Sequence, residues 1–107
     1  MTAVVVVATI RPRPEFRADV IAAMEKTIAS VHANDDGCLL YALHDGDGRL
    51  VMVEKWASPE ALAEHGRGPA LAELNQALAG RTEGGIDVQI LQPHPAGTPD
   101  QGTCSHR

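Results

Sequence analysis

Two strand-like runs, Cys38 to His44 and Arg49 to Trp56, flank the tetrapeptide Asp45-Gly46-Asp47-Gly48, and no other stretch limits the possible folds of the chain as tightly. Two apolar runs separated by Asp and Gly predict an antiparallel hairpin with a loop of two or four residues. Either loop pairs His44 with Arg49, Ala42 with Val51 and Leu40 with Val53. Successive side chains of a strand point to opposite faces, so one face carries Leu39, Tyr41, Leu43, Leu50, Met52, Glu54 and Trp56. The other carries Cys38, Leu40, Ala42, His44, Arg49, Val51, Val53 and Lys55. Both faces are apolar in the middle, whereas a sheet with one wet face is apolar on one side only. Both therefore need a cover, and the helices of a single chain can supply only one.

The flanking segments fit around this hairpin. Residues 3 to 10, AVVVVATI, are rich in β-branched side chains and apolar at odd and even positions alike, which predicts a strand that is central or covered on both faces. Arg11-Pro12-Arg13-Pro14 ends it, because each proline removes a backbone donor and restricts its predecessor. From Glu15 to about His32, Phe16, Val20, Ala23, Met24, Ile28 and Val31 recur at spacings of three and four, the stripe of a helix packed on one side. Asn34-Asp35-Asp36-Gly37 closes it with residues that favour turns and left-handed backbone. Ser58-Pro59-Glu60 starts a second helix with a serine cap, proline in the first turn and an acid at the positive end of the dipole. Gly66-Arg67-Gly68-Pro69 splits that helix, and Ala70 to Leu78 resumes it. A last strand runs from Ile86 to Gln92, and residues 93–107 read as a tail outside the 1–92 domain.

The predicted order is βαββαβ, an α+β, ferredoxin-like, four-stranded antiparallel sheet with the helices on one face. The exposed face would carry Leu40, Ala42, Val51 and Val53, a larger apolar patch than monomers tolerate, so a homodimer closing sheet against sheet is expected. At 107 residues the chain is long enough for one core. Its net charge of -5, with no basic run, argues against nucleic acid as a partner. The longest apolar run, Ala3 to Ala8, is too short to span a bilayer and lacks a basic segment before it, so no membrane partner is expected and the cytoplasm is the expected location. Cys38 and Cys104 are expected as reduced thiols. His32, His94 and His106 share no ligand spacing with one another or with Cys38, so no metal site is expected. The Asp-Gly-Asp-Gly turn lacks the further acids of a calcium loop.

The residues Gly37-Cys38-Leu39-x-Tyr41, Glu54-x-Trp56, the Ser-Pro-Glu-Ala-Leu helix start and His65 together closely resemble the antibiotic biosynthesis monooxygenase domain family. The similarity covers about residues 3 to 92. It implies a dimeric α/β barrel with a pocket in each subunit between sheet and helices. It also implies, for some members, oxidation of polycyclic aromatic phenols to quinones by molecular oxygen with neither metal nor flavin. Such chemistry needs no cofactor when the substrate, once deprotonated, is itself the reductant. The protein supplies an apolar cavity, a base and a stabiliser for the anion.

On that resemblance His65 is the expected catalytic acid/base; imidazole is the side chain suited to proton transfer near neutrality. Packing or capping is its alternative role. Trp56, Tyr41, Glu54 and Met52 share one predicted sheet face and are the expected substrate-binding set. Each also has a structural reading. Trp56 and Tyr41 can fill the core with their polar atoms satisfied, Met52 can fill a gap, and Glu54 can bond a backbone amide, Arg or His. The expected function is thus a cofactor-independent monooxygenase acting on a small aromatic or quinol-like molecule. The alternative is a non-catalytic dimer that binds a small hydrophobic compound. Haem degradation, carried out by related proteins with an asparagine in the first strand, is disfavoured because Val4 to Ile10 contains none.

Overall fold

Alternating burial along Val4–Ile10 defines β1: Val4, Val6, Ala8 and Ile10 are buried, while Val5, Val7 and Thr9 between them are half-buried. The computed structural model describes residues 3–104. His106, weighed above as a metal ligand, lies with the end of the tail outside the described residues. After β1 a single 3-10 turn, Pro14–Phe16, leads into α1, Arg17–Asn34. Then follow β2, Cys38–Gly46, and β3, Arg49–Trp56. Next come α2, Pro59–Arg67, and α3, Pro69–Leu78, and last β4, Asp87–Leu91. The sheet order is β2-β3-β1-β4, all antiparallel, which is the ferredoxin-like α+β arrangement.

One core lies between the sheet and the helices. β1 contributes Val4, Val6, Ala8 and Ile10, and β3 contributes Leu50, Met52 and Trp56. Val20, Met24 and Val31 of α1 and Leu74 and Leu78 of α3 pack against them. Thr27, absent from the predicted stripe, is also buried; its hydroxyl donates to the Ala23 carbonyl at 3.0 Å and so leaves no orphan donor. Gly68 and Pro69 separate α2 from α3 because proline has no N–H to continue the ladder, while the Gly68 N–H turns back to the His65 carbonyl at 3.1 Å. No helix is long and apolar enough to cross a membrane among the described residues.

The hairpin departs from its predicted register by two residues. Gly46 pairs with Arg49, His44 with Val51, Ala42 with Val53 and Leu40 with Lys55, so the loop is Asp47-Gly48, with Gly48 at φ +69°. A shift of two preserves every side chain's face, so alternation alone could not detect it. A bulge between Cys38 and Leu40 then sets Cys38 opposite Trp56, where it packs against the core. Leu39, expected on the helix-covered face, is instead 36% exposed. The bulge inserts one residue and reverses the alternation beyond it.

Gly37 also has a different role from the expected one. None of residues 34–37 adopts positive φ. A Cβ on Gly37 would stand 2.4 Å from the Ala61 Cβ, so glycine is required by the close approach of α2. The Gly37 carbonyl accepts from the Ala57 N–H at 2.8 Å, which ties the start of β2 to the end of β3.

Candidate functional site

The helix-covered side of the sheet is not filled to its edge. Ile10, Met52, Leu62, Leu71, Leu74 and Ile86 are among the apolar side chains lining a cavity of about 360 Å³ between the sheet and the three helices. That volume suits a small-molecule ligand. Val88 and Ile90 of β4 also line it, yet they are 53% and 63% exposed, so the mouth lies along the β4 edge. This follows from the pattern of β4, in which residues 86, 88 and 90 are apolar and face the helices while no helix reaches over them. The strap that leads into β4 is held by the Arg13 N–H to the Arg81 carbonyl at 2.9 Å and the Glu83 N–H to the Arg11 carbonyl at 2.7 Å.

Among the described residues, the polar side chains of the cavity wall are Tyr41, Glu54, His65 and Asn75, with neither lysine nor arginine. Three of them converge. Tyr41 and Glu54 are direct cross-strand partners on β2 and β3. His65 reaches them from the last turn of α2, which Ser58 caps by accepting from the Ala61 N–H at 3.1 Å. Trp56 donates its indole N–H to Glu54 Oε1 at 3.0 Å. The rings of Trp56 and His65 lie 4.6 Å apart at 32°, and Tyr41 meets His65 edge-on at 5.4 Å. On the far side of the imidazole, Nδ1 lies 3.1 Å from Oδ2 of Asp35, the residue that ends α1.

Burial controls the electrostatics of this corner. Desolvation pushes the Glu54 carboxyl above its ordinary range, opposed by the Trp56 hydrogen bond and by His65. Burial is also the main reason that the Tyr41 phenol is pushed far up, with Glu54 adding to it. Tyr41 is therefore a neutral hydroxyl suited to donating a hydrogen bond. Among the described residues no buried side-chain nitrogen or oxygen lacks a partner. The Tyr41 hydroxyl, the second Glu54 oxygen and His65 Nε2 make no hydrogen bond, so each must reach accessible space. The cavity wall thus brings an imidazole, a phenol and a carboxyl together in a chamber that is apolar apart from these and Asn75.

Of the residues proposed from sequence, Tyr41, Met52, Glu54 and His65 line the cavity. Trp56 does not. It is fully buried behind Glu54 and His65 and borders a separate, polar outer pocket of about 200 Å³ together with Asp35, Asp36 and Glu64. Sequence reasoning missed Asp35 and Asn75. Asp35 lies 30 residues from His65, outside any helical or strand period. Only the end-to-end pairing of Cys38 with Trp56, which carries the end of α1 to the flank of α2, could have pointed to it. Asn75 sits beside Leu74 on α3 and was hidden by the apolar stripe.

Residues 3–77 match the family model described as antibiotic biosynthesis monooxygenase. Over 92 residues the chain is 30% identical to Rv0793 of Mycobacterium tuberculosis, a protein named as a candidate monooxygenase; the match covers 84% of this chain and 90% of that one. The solved structure of Rv0793 superposes with a TM-score of 0.83 at 27% identity, covering 91% of this chain and 100% of the other. A structure from Caulobacter crescentus, named as a candidate antibiotic biosynthesis monooxygenase, gives a TM-score of 0.80 at 28% identity, covering 84% and 88% respectively.

Proposed function

The chain belongs to the antibiotic biosynthesis monooxygenase family, and from that premise we propose that it oxidises a small aromatic or quinol-like molecule with molecular oxygen, without a cofactor, using His65 as the base. The observation that carries this reading is the position of His65, which is 7% exposed, lines an apolar cavity of about 360 Å³ and has an Nε2 that makes no hydrogen bond. A ligand phenol or enol within reach of Nε2 would lose its proton there. The anion would accept a hydrogen bond from Tyr41 and remain shielded from bulk water by Met52 and the apolar walls. An electron-rich anion of this kind passes electrons to O2. For an anthrone, one oxygen atom becomes the new carbonyl, the two hydrogens of the methylene carbon are lost, and the other oxygen atom leaves as water. Among the described residues no lysine or arginine lines the cavity wall, which favours a neutral substrate over a carboxylate or phosphate.

The same reading includes a homodimer. Leu40 is 44% exposed, and Ala42, Val51 and Val53 are only half-buried on the sheet face turned away from the helices. A second copy laid on that face would form the barrel that the resemblance implies.

The test is oxygen uptake with dithranol, a dihydroxyanthrone, and with menadiol, a quinol. The wild-type protein should consume O2 above the rate in buffer, and His65→Ala should reduce the enzymatic rate by about 10²-fold or more. No uptake above buffer with either probe, or full turnover by His65→Ala, would overturn the proposal.

A further inference from the structure

Asp35 has its backbone and its side chain committed to different tasks. Its N–H donates to the Val31 carbonyl at 2.9 Å and its carbonyl accepts from the Cys38 N–H at 3.0 Å, which closes α1 and starts β2. Its carboxylate is left to face α2, where Oδ2 lies 3.1 Å from His65 Nδ1. The two side chains are 27% and 6% exposed, so solvent screens this contact less than it would a surface pair. An ionised carboxylate only accepts hydrogen bonds, so Nδ1 must carry the proton. In a neutral imidazole that leaves the lone pair on Nε2, the atom without a partner.

The neighbours of the ring strengthen the argument. Trp56 at 4.6 Å and Tyr41 at 5.4 Å hold the plane of the imidazole from two sides, yet neither makes a hydrogen bond that would select a tautomer. Glu54 bonds Trp56 and makes no hydrogen bond to His65. Glu64, which borders the outer pocket with His65, makes no hydrogen bond to it. Among the described residues, Asp35 is the one group placed to decide which nitrogen is bare.

We propose that Asp35 is a positioning residue of the cavity, holding His65 in the form protonated on Nδ1 so that Nε2 meets the ligand as a proton acceptor. This rests on the reading of His65 as the base. After transfer the ring is protonated on both nitrogens, and its positive charge faces the Asp35 carboxylate, which stabilises the product of that step as well as orienting the reactant.

The tautomer can be read without any substrate. In the free protein with 15N-labelled histidine, long-range nitrogen–proton correlations of the neutral ring, assigned by their loss in His65→Ala, should show a protonated Nδ1 and a bare Nε2. Asp35→Ala removes one side-chain hydrogen bond and no backbone contact, and should move His65 toward the Nε2-protonated form or a mixture of the two. With dithranol as probe, Asp35→Ala should lower kcat about tenfold or more with KM within about twofold, because the loss falls on proton transfer rather than on binding. A wild-type His65 protonated on Nε2 overturns the proposal whether or not the variant folds. So does an unchanged tautomer in Asp35→Ala, or an altered tautomer with full kcat. If the wild-type protein turns over neither dithranol nor menadiol, the monooxygenase reading fails while the tautomer measurement still judges what Asp35 does to the ring.

Discussion

Glu54 is buried to 5% exposure on a face otherwise made of Tyr41, Met52 and Trp56, and its carboxyl is held above the ordinary range by that burial. A raised value in the folded state means that, between the unfolded value near 4.5 and the folded value, the native protein holds a proton that the unfolded chain has released. Stability is then complete below the lower limit and declines as pH rises through the folded value. Glu54→Gln keeps an oxygen for the Trp56 indole, so at acidic pH it should cost about 1 kcal/mol or less. It should also abolish the decline above the ordinary carboxylate range. Urea unfolding across pH measures both, and parallel profiles for the two proteins would count against a raised Glu54. The sequence made plain that a carboxylate on this face needs a partner, and suggested a backbone amide, Arg or His. The partner is Trp56, two residues along the same strand, because alternation places i and i+2 side by side and the indole has a single donor to satisfy.

At the scale of elements, Gly37 and α2 constrain one another. Since a Cβ on Gly37 would fall 2.4 Å from the Ala61 Cβ in the first turn of α2, Gly37→Ala must push the helix outward or displace the start of β2. Overpacking of this kind should cost about 1–3 kcal/mol, seen as a lower Tm, at about 4–8 °C per kcal/mol for a domain of this size. Replacing Ala61 by Gly in the same protein should recover part of the loss, limited by the cost of about 1 kcal/mol for glycine in a helix. An unchanged Tm in Gly37→Ala would show that the contact relaxes freely. Every helix and strand could be read from the sequence, because the stripe of α1, the Ser58 cap and the apolar run of β1 are local signals. The hairpin register could not. A four-residue loop over Asp45-Gly46-Asp47-Gly48 and the observed two-residue loop Asp47-Gly48 differ by a slip of two residues, which leaves the same side chains on each face.

For the whole molecule, the sheet face away from the helices is the one proposed to govern assembly. With Leu40, Ala42, Val51 and Val53 on it, the protein should scatter light as a species of twice the monomer mass at micromolar concentration. Val53→Arg should weaken that association by about a hundredfold or more, since a charge stranded in an apolar seam costs several kcal/mol. Its far-UV circular dichroism should not change. A monomeric wild-type protein would remove the proposed seam. The apolar character of that face was legible in the hairpin, where both faces are apolar. The cavity beneath the opposite face was implied by the family resemblance but not by the residue pattern, because it arises from what α2 and α3 fail to cover along β4, a matter of helix length and placement. The chain contains one tryptophan, and it is the residue whose ring lies 4.6 Å from that of His65 and whose indole is bonded to Glu54. All tryptophan fluorescence of this protein therefore originates beside the proposed site, at a ring in contact with two of its ionisable groups, so a change in emission on adding a ligand would report on that corner with no label attached.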